Sequence, residues 1–478
     1  MDTKINLSRD KLIDFGMMYF TVPNEYNIEN QDYEETSFKN HTVYYTQDLR
    51  YEKIKYNEFN ILILGELYDV RNPDKDQQSI MNELLQQDFE SDDYYNEMSY
   101  YNGRFVIFIE KDSSLYLYPD ATSLLSCYYH TQYNIVSSHS EILNLILKYI
   151  FNSEENKYRG YGAGVLDFSK FDNIYKLNGN HRFNFKNNTT SRFFPLKTYK
   201  ELSANEIVDK HNNFLINSAD YIFNNNKVLF TLTAGWDSRV TLAFFKKYVE
   251  NIEFFTYIKK ISDKESYAAK MYHIDEVQTT SIADNLNLNF EKIYLNNYKV
   301  NEKQRELVKK FETTYSPQLI NYYSTLNNSE KPILIKSKLY EIAKILEWKK
   351  TEHTYGLWDA YPAVKKWLSS INIDENTEEI YRDYLERNQV DEAVSKNVDT
   401  RYLFHHESKF NNLSSAIAQE TDKYVNTHII INYREILFDF MVMNYNDKKY
   451  NRVHKLFIDK NWPILNMFKV NNIGFKEK

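Results

Sequence analysis

The sequence predicts two domains of different fold class: an α+β N-terminal domain with antiparallel sheets, and an α/β C-terminal domain with a parallel sheet and a helical C-terminal part. Three observations predict this arrangement. The chain has 478 residues, whereas one domain usually holds about 100 to 200. Short apolar strands with hairpin signals fill the first 195 or so residues. Strand–helix–strand spacing then begins near residue 200. We place the domains at residues 1–198 and 199–478.

The N-terminal half combines short strands with two amphipathic helices. Residues 104–120 contain two strands around the polar turn 111–114, which is a hairpin signal. We predict strands within residues 60–69, 104–120, 133–140 and 173–185, and helices over residues 78–87 and 141–151.

The C-terminal half begins with an amphipathic helix over residues 202–223, for which Ser203 is placed as the N-cap. A buried strand at 227–233, a turn at 234–239 and a helix at 240–249 follow, and a second strand covers residues 251–258. This spacing is typical of a βαβ unit and therefore of a parallel sheet. Beyond residue 300 the pattern is mostly helical.

Composition limits the possible functions. Hydrophobic residues make up 42% of the chain and charged residues 26%, which is enough apolar material for packed cores. A net charge of −8 disfavours a nucleic-acid partner bound by a broad basic face. We find neither a signal-peptide pattern nor a membrane span, and we expect a cytoplasmic protein. The lone cysteine, Cys127, rules out an intramolecular disulfide and multi-cysteine metal sites.

The most informative stretch follows the strand that ends at Thr233. A tight turn between a parallel strand and a helix N-terminus is an anion-binding geometry. Gly235 would let backbone approach a phosphate, Thr233 and Ser238 supply hydroxyls, and Asp237 can hold Mg²⁺. The absence of a lysine argues against a Walker A loop. An ordinary strand-to-helix turn capped by Asp237 or Ser238 is the alternative.

This turn carries a family resemblance. The segment Thr233-Ala234-Gly235-Trp236-Asp237-Ser238-Arg239 resembles the pyrophosphate loop, SGGxDS, of the asparagine synthetase family, with Thr233 and Ala234 replacing the first Ser and Gly. Residues 275–288, 432–437 and 463–465 resemble later elements of the same synthetase domain. The family implies an adenine nucleotide alpha-hydrolase-like C-terminal domain that uses ATP and Mg²⁺.

The N-terminal half resembles the class II glutamine amidotransferase domain of that family, which has an Ntn-hydrolase-like fold. The resemblance lies in residues 103–105, 118–120, 128–129 and 137–141, although Ser123 stands where a glycine is expected. The family's glutaminase uses a cysteine at position 2, whereas this chain has Asp2. The resemblance therefore implies a retained domain without glutaminase activity.

Two further features depart from the family or leave alternatives open. Glu341 is the carboxylate nearest to the family's acidic metal-binding motif, and a solvated helix residue is an equal alternative. The family places a cation near the reaction centre in the region of residues 448–455. A catalytic role for Lys449 or Arg452 follows from this, whereas a solvated basic face is the simpler explanation of the run.

The resemblance implies ATP-dependent amide formation through an acyl-adenylate, with release of AMP and pyrophosphate. The loop residues 233–239 would hold ATP, Asp237 would bind Mg²⁺, and Phe255 and Tyr257 would lie against adenine. The substrate carries a carboxylate, and the nitrogen comes from free ammonia, from a partner that supplies ammonia, or from an amine of the substrate. The last case, with a peptide as one option, is similar to lasso-peptide cyclases and β-lactam synthetases. The alternative hypothesis is a non-catalytic nucleotide-binding or scaffold subunit.

Overall fold

The computed structural model of the chain describes residues 4–5, 15–28, 33–157, 164–313, 315, 317–326, 331–346 and 353–470. Asp2, which stands at the family's nucleophile position, lies outside these ranges. Within them, no helix combines the length and the apolar character that crossing a membrane requires.

The N-terminal half is built mainly from strands. They are β1 (Lys4–Ile5), β2 (Tyr19–Pro23), β3 (Asn27–Ile28), β4 (Glu34–Ser37), β5 (His41–Tyr45), β6 (Tyr51–Tyr56), β7 (Phe59–Asp69), β8 (Tyr101–Lys111), β9 (Ser114–Pro119), β10 (Tyr128–His130), β11 (Val136–Ser137), β12 (Ile174–Lys176), β13 (His181–Asn184) and β14 (Thr189–Arg192). The helices are α1 (Gln77–Gln86), α2 (Asp92–Met98) and α3 (Ser140–Ile150). Two six-stranded sheets result, with strand orders β12-β10-β11-β2-β5-β4 and β14-β13-β9-β8-β7-β6.

The two six-stranded sheets pack face to face because side chains alternate along their strands. In β7, Leu62 and Leu64 join the core that contains Tyr19 and Tyr45 of the other sheet. Ile61 and Ile63 point the opposite way, into the core that includes side chains of α1 and α2. On the far side, α3 covers the outer face of the first sheet. The strands are antiparallel in both sheets, as predicted.

The predicted hairpin is confirmed. Strands β8 and β9 are joined by Asp112 and Ser113, with φ of 50° and 66°, which is the left-handed backbone of a two-residue hairpin turn. The helices expected at 78–87 and 141–151 begin one residue earlier, as α1 and α3. The strand expected over 133–140 is shorter, because only the pair in β11 joins the sheet.

The C-terminal half alternates strands and helices. Its strands are β15 (Val228–Thr231), β16 (Glu253–Ile258), β17 (Phe290–Tyr294), β18 (Ile333–Ile335) and β19 (Asn426–His428). Its helices are α4 (Ala204–Asn225), α5 (Trp236–Phe244), α6 (Tyr267–Leu286), α7 (Glu302–Val308), α8 (Pro317–Ser324), α9 (Tyr361–Ser370), α10 (Thr377–Arg387), α11 (Val390–Val394), α12 (Thr400–Phe404), α13 (Ser415–Gln419), α14 (Arg434–Met441), α15 (Tyr445–Lys449) and α16 (Arg452–Asn461). Wide π-helical turns over His405–Ser414 join α12 to α13.

The five C-terminal strands form one parallel sheet in the order β17-β16-β15-β18-β19. The βαβ prediction is therefore correct for β15, α5 and β16. The expectation of a mostly helical chain beyond residue 300 omits β18 and β19. Each has three residues, and a run that short has no readable period of its own.

Helix boundaries in this half follow local capping chemistry. Ser203 caps α4 as predicted: its hydroxyl accepts the N–H of Glu206 at 3.3 Å, and the Glu206 carboxylate accepts the Ser203 N–H at 2.8 Å. Helix α5 begins at Trp236 rather than at residue 240, which corrects the predicted turn. Residues 236–239 thus form the first helical turn, and Gly235 is its N-cap.

A buried ion pair joins the two halves. The guanidinium of Arg104, in β8, donates to both carboxylate oxygens of Asp422 at 2.5 and 2.7 Å. Both side chains are almost fully buried. The largest apolar core also contains residues from both halves, among them Ile107 and Phe230. The division at residues 198 and 199 falls in the connection between β14 and α4, and it stays a prediction.

Candidate functional site

The loop between β15 and α5 is closed by one serine. The hydroxyl of Ser238 accepts the N–H of Thr233 at 3.2 Å and donates to the carbonyl oxygen of Thr233 at 2.7 Å. Ser238 is itself almost fully buried. Its hydroxyl therefore holds the shape of the loop from inside.

Two side chains, the half-buried Asp275 and the buried Arg239, hold Ala234 in place. Asp275, in α6, accepts the N–H of Ala234 at 2.8 Å, and burial raises the pKa of this carboxyl. Arg239 donates to the carbonyl oxygen of Ala234 at 3.0 Å and to that of Phe468 at 2.6 Å. Burial lowers the pKa of the Arg239 guanidinium to about 10. The loop is thus fixed from α6 and from the C-terminal segment.

The N-terminus of α5 is open to a ligand. Among the described residues its first turn has no side-chain cap hydrogen bond, and the N-cap Gly235 has a φ of −78° and a ψ of 169°. Any residue can adopt this extended backbone, so the glycine supplies space rather than conformational freedom. Uncapped N–H groups and the positive end of the helix dipole favour an anion at this point.

The loop opens into a cavity of about 910 Å³, which we name the main cavity. Thr231, Tyr257, Leu334 and Thr427 line it, so it lies at the carboxyl ends of β15, β16, β18 and β19. Ligands bind at this edge in open parallel sheets. The buried hydroxyl of Thr231 has no hydrogen-bond partner among the described residues, which leaves it available to a ligand.

Lysines dominate the charge of the main cavity. Among the described residues, two carboxylates line it, Asp237 and Glu341, together with six lysines: Lys336, Lys338, Lys344, Lys409, Lys448 and Lys449. Burial, with a smaller effect of the Lys338 charge, lowers the pKa of Lys336 to about 7. An excess of cations in a recessed site favours polyanionic ligands such as phosphates.

Asp237 lies between the Lys344 ammonium and the His454 imidazole. Its carboxylate is ion-paired with Lys344, and Nε2 of His454 lies 3.3 Å from Oδ1. Burial acts to raise the pKa of Asp237, but the two partners outweigh it, and the pKa lies well below its usual range. Burial lowers the pKa of His454. Asp237 therefore carries its negative charge at neutral pH.

The carboxylates suit a Mg²⁺ ion that arrives with phosphates. Mg²⁺ usually takes one or two protein carboxylates and completes its shell with phosphate oxygens and water. Asp237 and Glu341 both line the main cavity, and Oε2 of Glu341 is buried with no hydrogen-bond partner among the described residues. The structure's described part holds no cluster of three or more metal-ligating side chains. Lys344 competes with a metal for Asp237.

The predicted site residues separate into two groups. Eight line the main cavity: Thr233, Gly235, Trp236, Asp237, Ser238, Tyr257, Glu341 and Lys449. The others lie elsewhere. Ala234 and Arg239 are buried behind the loop. Phe255 packs against Tyr322 and Tyr323 in an apolar cluster. Arg452 points outward, with 62% of its side chain exposed and Nη1 3.2 Å from Asp447.

Sequence reasoning missed several residues of the site. Lys344 and His454 face Asp237, and Asp275 had been noted only as part of a family segment. The one available signal was position, because polar residues directly after a buried strand gather at the carboxyl edge of a parallel sheet. Lys336 and Lys338 follow β18 in this way.

Cys127 is fully buried in the core between the two antiparallel sheets. Burial raises the pKa of its thiol to about 12. A nucleophilic cysteine needs the opposite environment, one that is accessible and lowers the pKa. Cys127 is therefore a core residue, as expected for a lone cysteine.

Comparisons with known proteins return distant structural likenesses. No protein-family model matches the chain, and no curated protein matches it. An NH3-dependent NAD synthetase from Campylobacter jejuni is 16% identical, with a TM-score of 0.22, over 44% of this chain and 93% of that one. A glutamine-dependent NAD+ synthetase from Acinetobacter baumannii is 13% identical, with a TM-score of 0.22, over 53% and 61%.

A glutamine phosphoribosylpyrophosphate amidotransferase from B. subtilis is 8% identical, with a TM-score of 0.23, over 69% of this chain and 71% of that one. At these identities and TM-scores, the likenesses assign neither a fold nor an activity to this chain.

Proposed function

We propose that this chain is an asparagine synthetase-like ligase that forms an amide bond at the expense of ATP. A substrate carboxylate oxygen attacks the α-phosphorus of ATP, and pyrophosphate leaves. An amine nitrogen then attacks the acyl carbon and loses a proton, and AMP leaves. The observation that carries the proposal is the uncapped start of α5, which faces a cavity whose described lining includes six lysines.

The loop would hold the phosphates of ATP. Backbone N–H groups at Gly235 and the start of α5 would face the phosphate oxygens, and Thr231 would add a hydroxyl donor. The Thr233 hydroxyl donates to the Ser238 hydroxyl at 3.1 Å and would have to turn from it to reach a phosphate. Ser238, Asp275 and Arg239 act by holding the loop in shape. The loop then binds the nucleotide without rearrangement, which keeps the entropic cost of binding low.

Tyr257 would lie against adenine, because its side chain lines the cavity at the end of β16. Phe255 supports that wall from behind, since its ring packs on Tyr322 and Tyr323. This division separates the two aromatic residues that the sequence had placed together.

Asp237 and Glu341 would hold Mg²⁺, which neutralises charge on the phosphates. Lys344 must then turn from Asp237 toward the phosphates. Its half-buried side chain lines the same cavity, so it reaches an anion on either side.

Lys449 would supply the cation for the adenylation step. It lines the cavity as an exposed residue at the end of α15. The adjacent Lys448 also lines the cavity, but it is buried and donates to the carbonyl oxygen of Met441 at 2.9 Å. A cation fixed near the reacting carboxylate and phosphate stabilises the charge that develops between them.

The nitrogen donor would come from outside the N-terminal half. We propose that residues 1–198 are a degenerate glutamine amidotransferase-like domain of Ntn-hydrolase type, joined to a synthetase domain at 199–478. Cys127 is buried, so it does not replace the missing nucleophile. The donor is then free ammonia, ammonia from a partner protein, or an amine of the substrate.

Exchange of radiolabelled pyrophosphate into ATP tests the proposal, because adenylate formation is reversible. We expect exchange above background with at least one member of a panel of carboxylic acids. ATP binding without exchange for any acid would favour the non-catalytic subunit. A protein without ATP binding would contradict both.

A further inference from the structure

A continuous helical segment forms one wall of the main cavity. It consists of α12, the wide turns 405–414 and α13, and we name it the roof segment (Thr400–Gln419). Four of its residues are half-buried: Lys409, Leu413, Ser414 and Ile417. Its other residues are buried, and all four half-buried ones line the main cavity. The face turned to the cavity thus includes two aliphatic side chains that are partly open to solvent.

The roof segment is firmly held against the N-terminal half. The amide of Asn412 donates to the carbonyl oxygen of Phe168 at 2.8 Å, and that of Gln419 donates to Ser138 at 2.6 Å. Asn411 accepts the N–H of Gly179 at 3.0 Å. These buried contacts determine which face of the segment turns to the cavity. Leu413 and Ile417 are therefore held on the cavity side, where they are partly open to solvent.

A glycine allows this placement. Gly164 has a φ of 82°, a left-handed backbone that favours glycine, and a Cβ at this position would lie 2.8 Å from Cβ of Leu413. A side chain here would push Leu413 and the roof segment away from its position.

Strand order separates the roof from the proposed nucleotide site. Tyr257 lies on β16, the loop follows β15, and β18 and then β19 come next across the sheet. The roof segment precedes β19 in the chain. Leu124 and Ile429 also line the cavity and extend the apolar surface that the roof segment forms. We name this part the apolar arm, formed by Leu124, Phe410, Leu413, Ile417, Ala418 and Ile429.

The apolar arm differs in chemistry from the loop end. At the loop end, Lys344 is ion-paired with Asp237, and Nζ of Lys336 lies 5.4 Å from the ring centroid of Tyr257. The roof segment adds Lys409 and Ser414 to the polar lining, next to its two half-buried aliphatic side chains, Leu413 and Ile417. A charged substrate body would lose its water against the aliphatic side chains of the arm, which costs free energy wherever no ion pair replaces that water.

We propose that the acid activated at this site carries an apolar body, linear or branched, that lies along the apolar arm while its carboxylate faces the loop. This inference rests on the proposed function and adds its substrate class. A body of this kind gains affinity from every methylene that the arm removes from water, by about fourfold for each.

Stable mimics of the acyl-adenylate test the inference. In N-acylsulfamoyl adenosines, a sulfamoyl group replaces the reacting phosphate. We would measure their dissociation constants by calorimetry for acetyl, butanoyl, hexanoyl and aspartyl derivatives, with unacylated sulfamoyladenosine as the parent. Affinity should rise steadily from acetyl to hexanoyl, by at least about tenfold in all, and the aspartyl compound should bind no better than the acetyl compound.

In the double variant Leu413→Gln/Ile417→Gln, affinity should no longer rise from the acetyl to the hexanoyl compound, while the parent compound binds as it does to the wild type. Leu456→Gln is the matched control, because Leu456 is a partly buried helical leucine outside the cavity lining. If the double variant does not fold, Ser414→Leu provides a second test. Its added bulk in the arm should weaken binding of the hexanoyl compound and leave binding of the acetyl compound unchanged.

If the wild-type protein binds the parent compound but binds the acetyl, butanoyl and hexanoyl compounds with equal affinity, this inference is overturned and the proposed function stands. Failure of the parent, of ATP and of every acyl compound to bind would overturn the proposed function and this inference together.

Discussion

Nε2 of His454 lies 3.3 Å from Oδ1 of Asp237, so the first acidic residue of α5 faces a buried imidazole from α16. Lys344 contacts the same carboxylate from the segment after β18. Helix α5, the segment after β18 and helix α16 are far apart in the chain, and they meet at the Asp237 carboxylate beside the loop. This charge is the one that the proposed function assigns to Mg²⁺, and its partners decide how a metal would compete for it.

We expect Asp237→Asn to weaken Mg²⁺-dependent ATP binding by roughly tenfold to a hundredfold, the worth of one charged contact. Without Mg²⁺, the variant should bind ATP at least as well as the wild type, because a negative charge facing the phosphates is gone. Calorimetric titrations with Mg²⁺ and with a chelator check both statements, and the exposed Asp284→Asn serves as control. Equal loss under both conditions would contradict a metal role.

We expect ATP affinity to depend on Lys336 through pH. Burial lowers the pKa of this lysine to about 7, so it is charged below that pH and loses its charge above it. Its attraction for phosphate should therefore weaken as the pH rises from 6 to 8. Lys336→Arg keeps a positive charge from pH 6 to 8, so its ATP affinity should no longer fall over this range because of position 336. The substitution Lys246→Arg, at an exposed lysine, should leave the pH dependence of the wild type unchanged. Identical pH profiles for Lys336→Arg and wild type would contradict the role of Lys336.

Lys449 and Arg452 form a matched pair, since one lines the cavity and the other points outward. We expect Lys449→Ala to lower pyrophosphate exchange about a hundredfold or more, with ATP affinity nearly unchanged, because the cation acts on the transition state. Arg452→Ala should stay near the wild-type rate and change stability by less than about 0.5 kcal/mol. The reverse ranking would move the catalytic cation to Arg452.

The purified protein should not hydrolyse glutamine. Cys127 is buried and its pKa is raised to about 12, so the native thiol should resist alkylation by iodoacetamide at pH 8. It should react fully after unfolding in denaturant, and mass spectrometry distinguishes the two states. Rapid alkylation of the native protein, or glutamate release above a heat-killed control, would contradict this prediction.

The sequence predicted those parts of the fold that local chemistry decides. The Ser203 cap depends on a serine and a glutamate three residues apart, and the turn at Asp112 and Ser113 lies between two alternating apolar runs. Strands β18 and β19 were not predicted because a run of three residues becomes a strand only through pairing with neighbouring strands. That pairing is a tertiary contact.

The candidate site shows the same division. The loop could be found because its residues are consecutive, and the start of α5 was misplaced because polar residues at a helix start resemble a turn. The partners of Asp237 come from segments about a hundred residues or more away, so no local pattern indicates them. The cavity-facing stripe of the roof segment follows wide π-helical turns, whose period differs from that of an α-helix.

The central claim is that the loop at Gly235 holds the phosphates of ATP, and Gly235→Val tests it most directly. The φ of −78° suits any residue, so the substitution should leave the fold intact, at a cost of about 1 kcal/mol at the helix cap. Equilibrium titration of ATP into wild type and variant is the measurement, with circular dichroism to verify folding. We predict that wild type binds ATP and that the folded variant has lost this binding. Equal ATP affinity in both proteins would contradict the account.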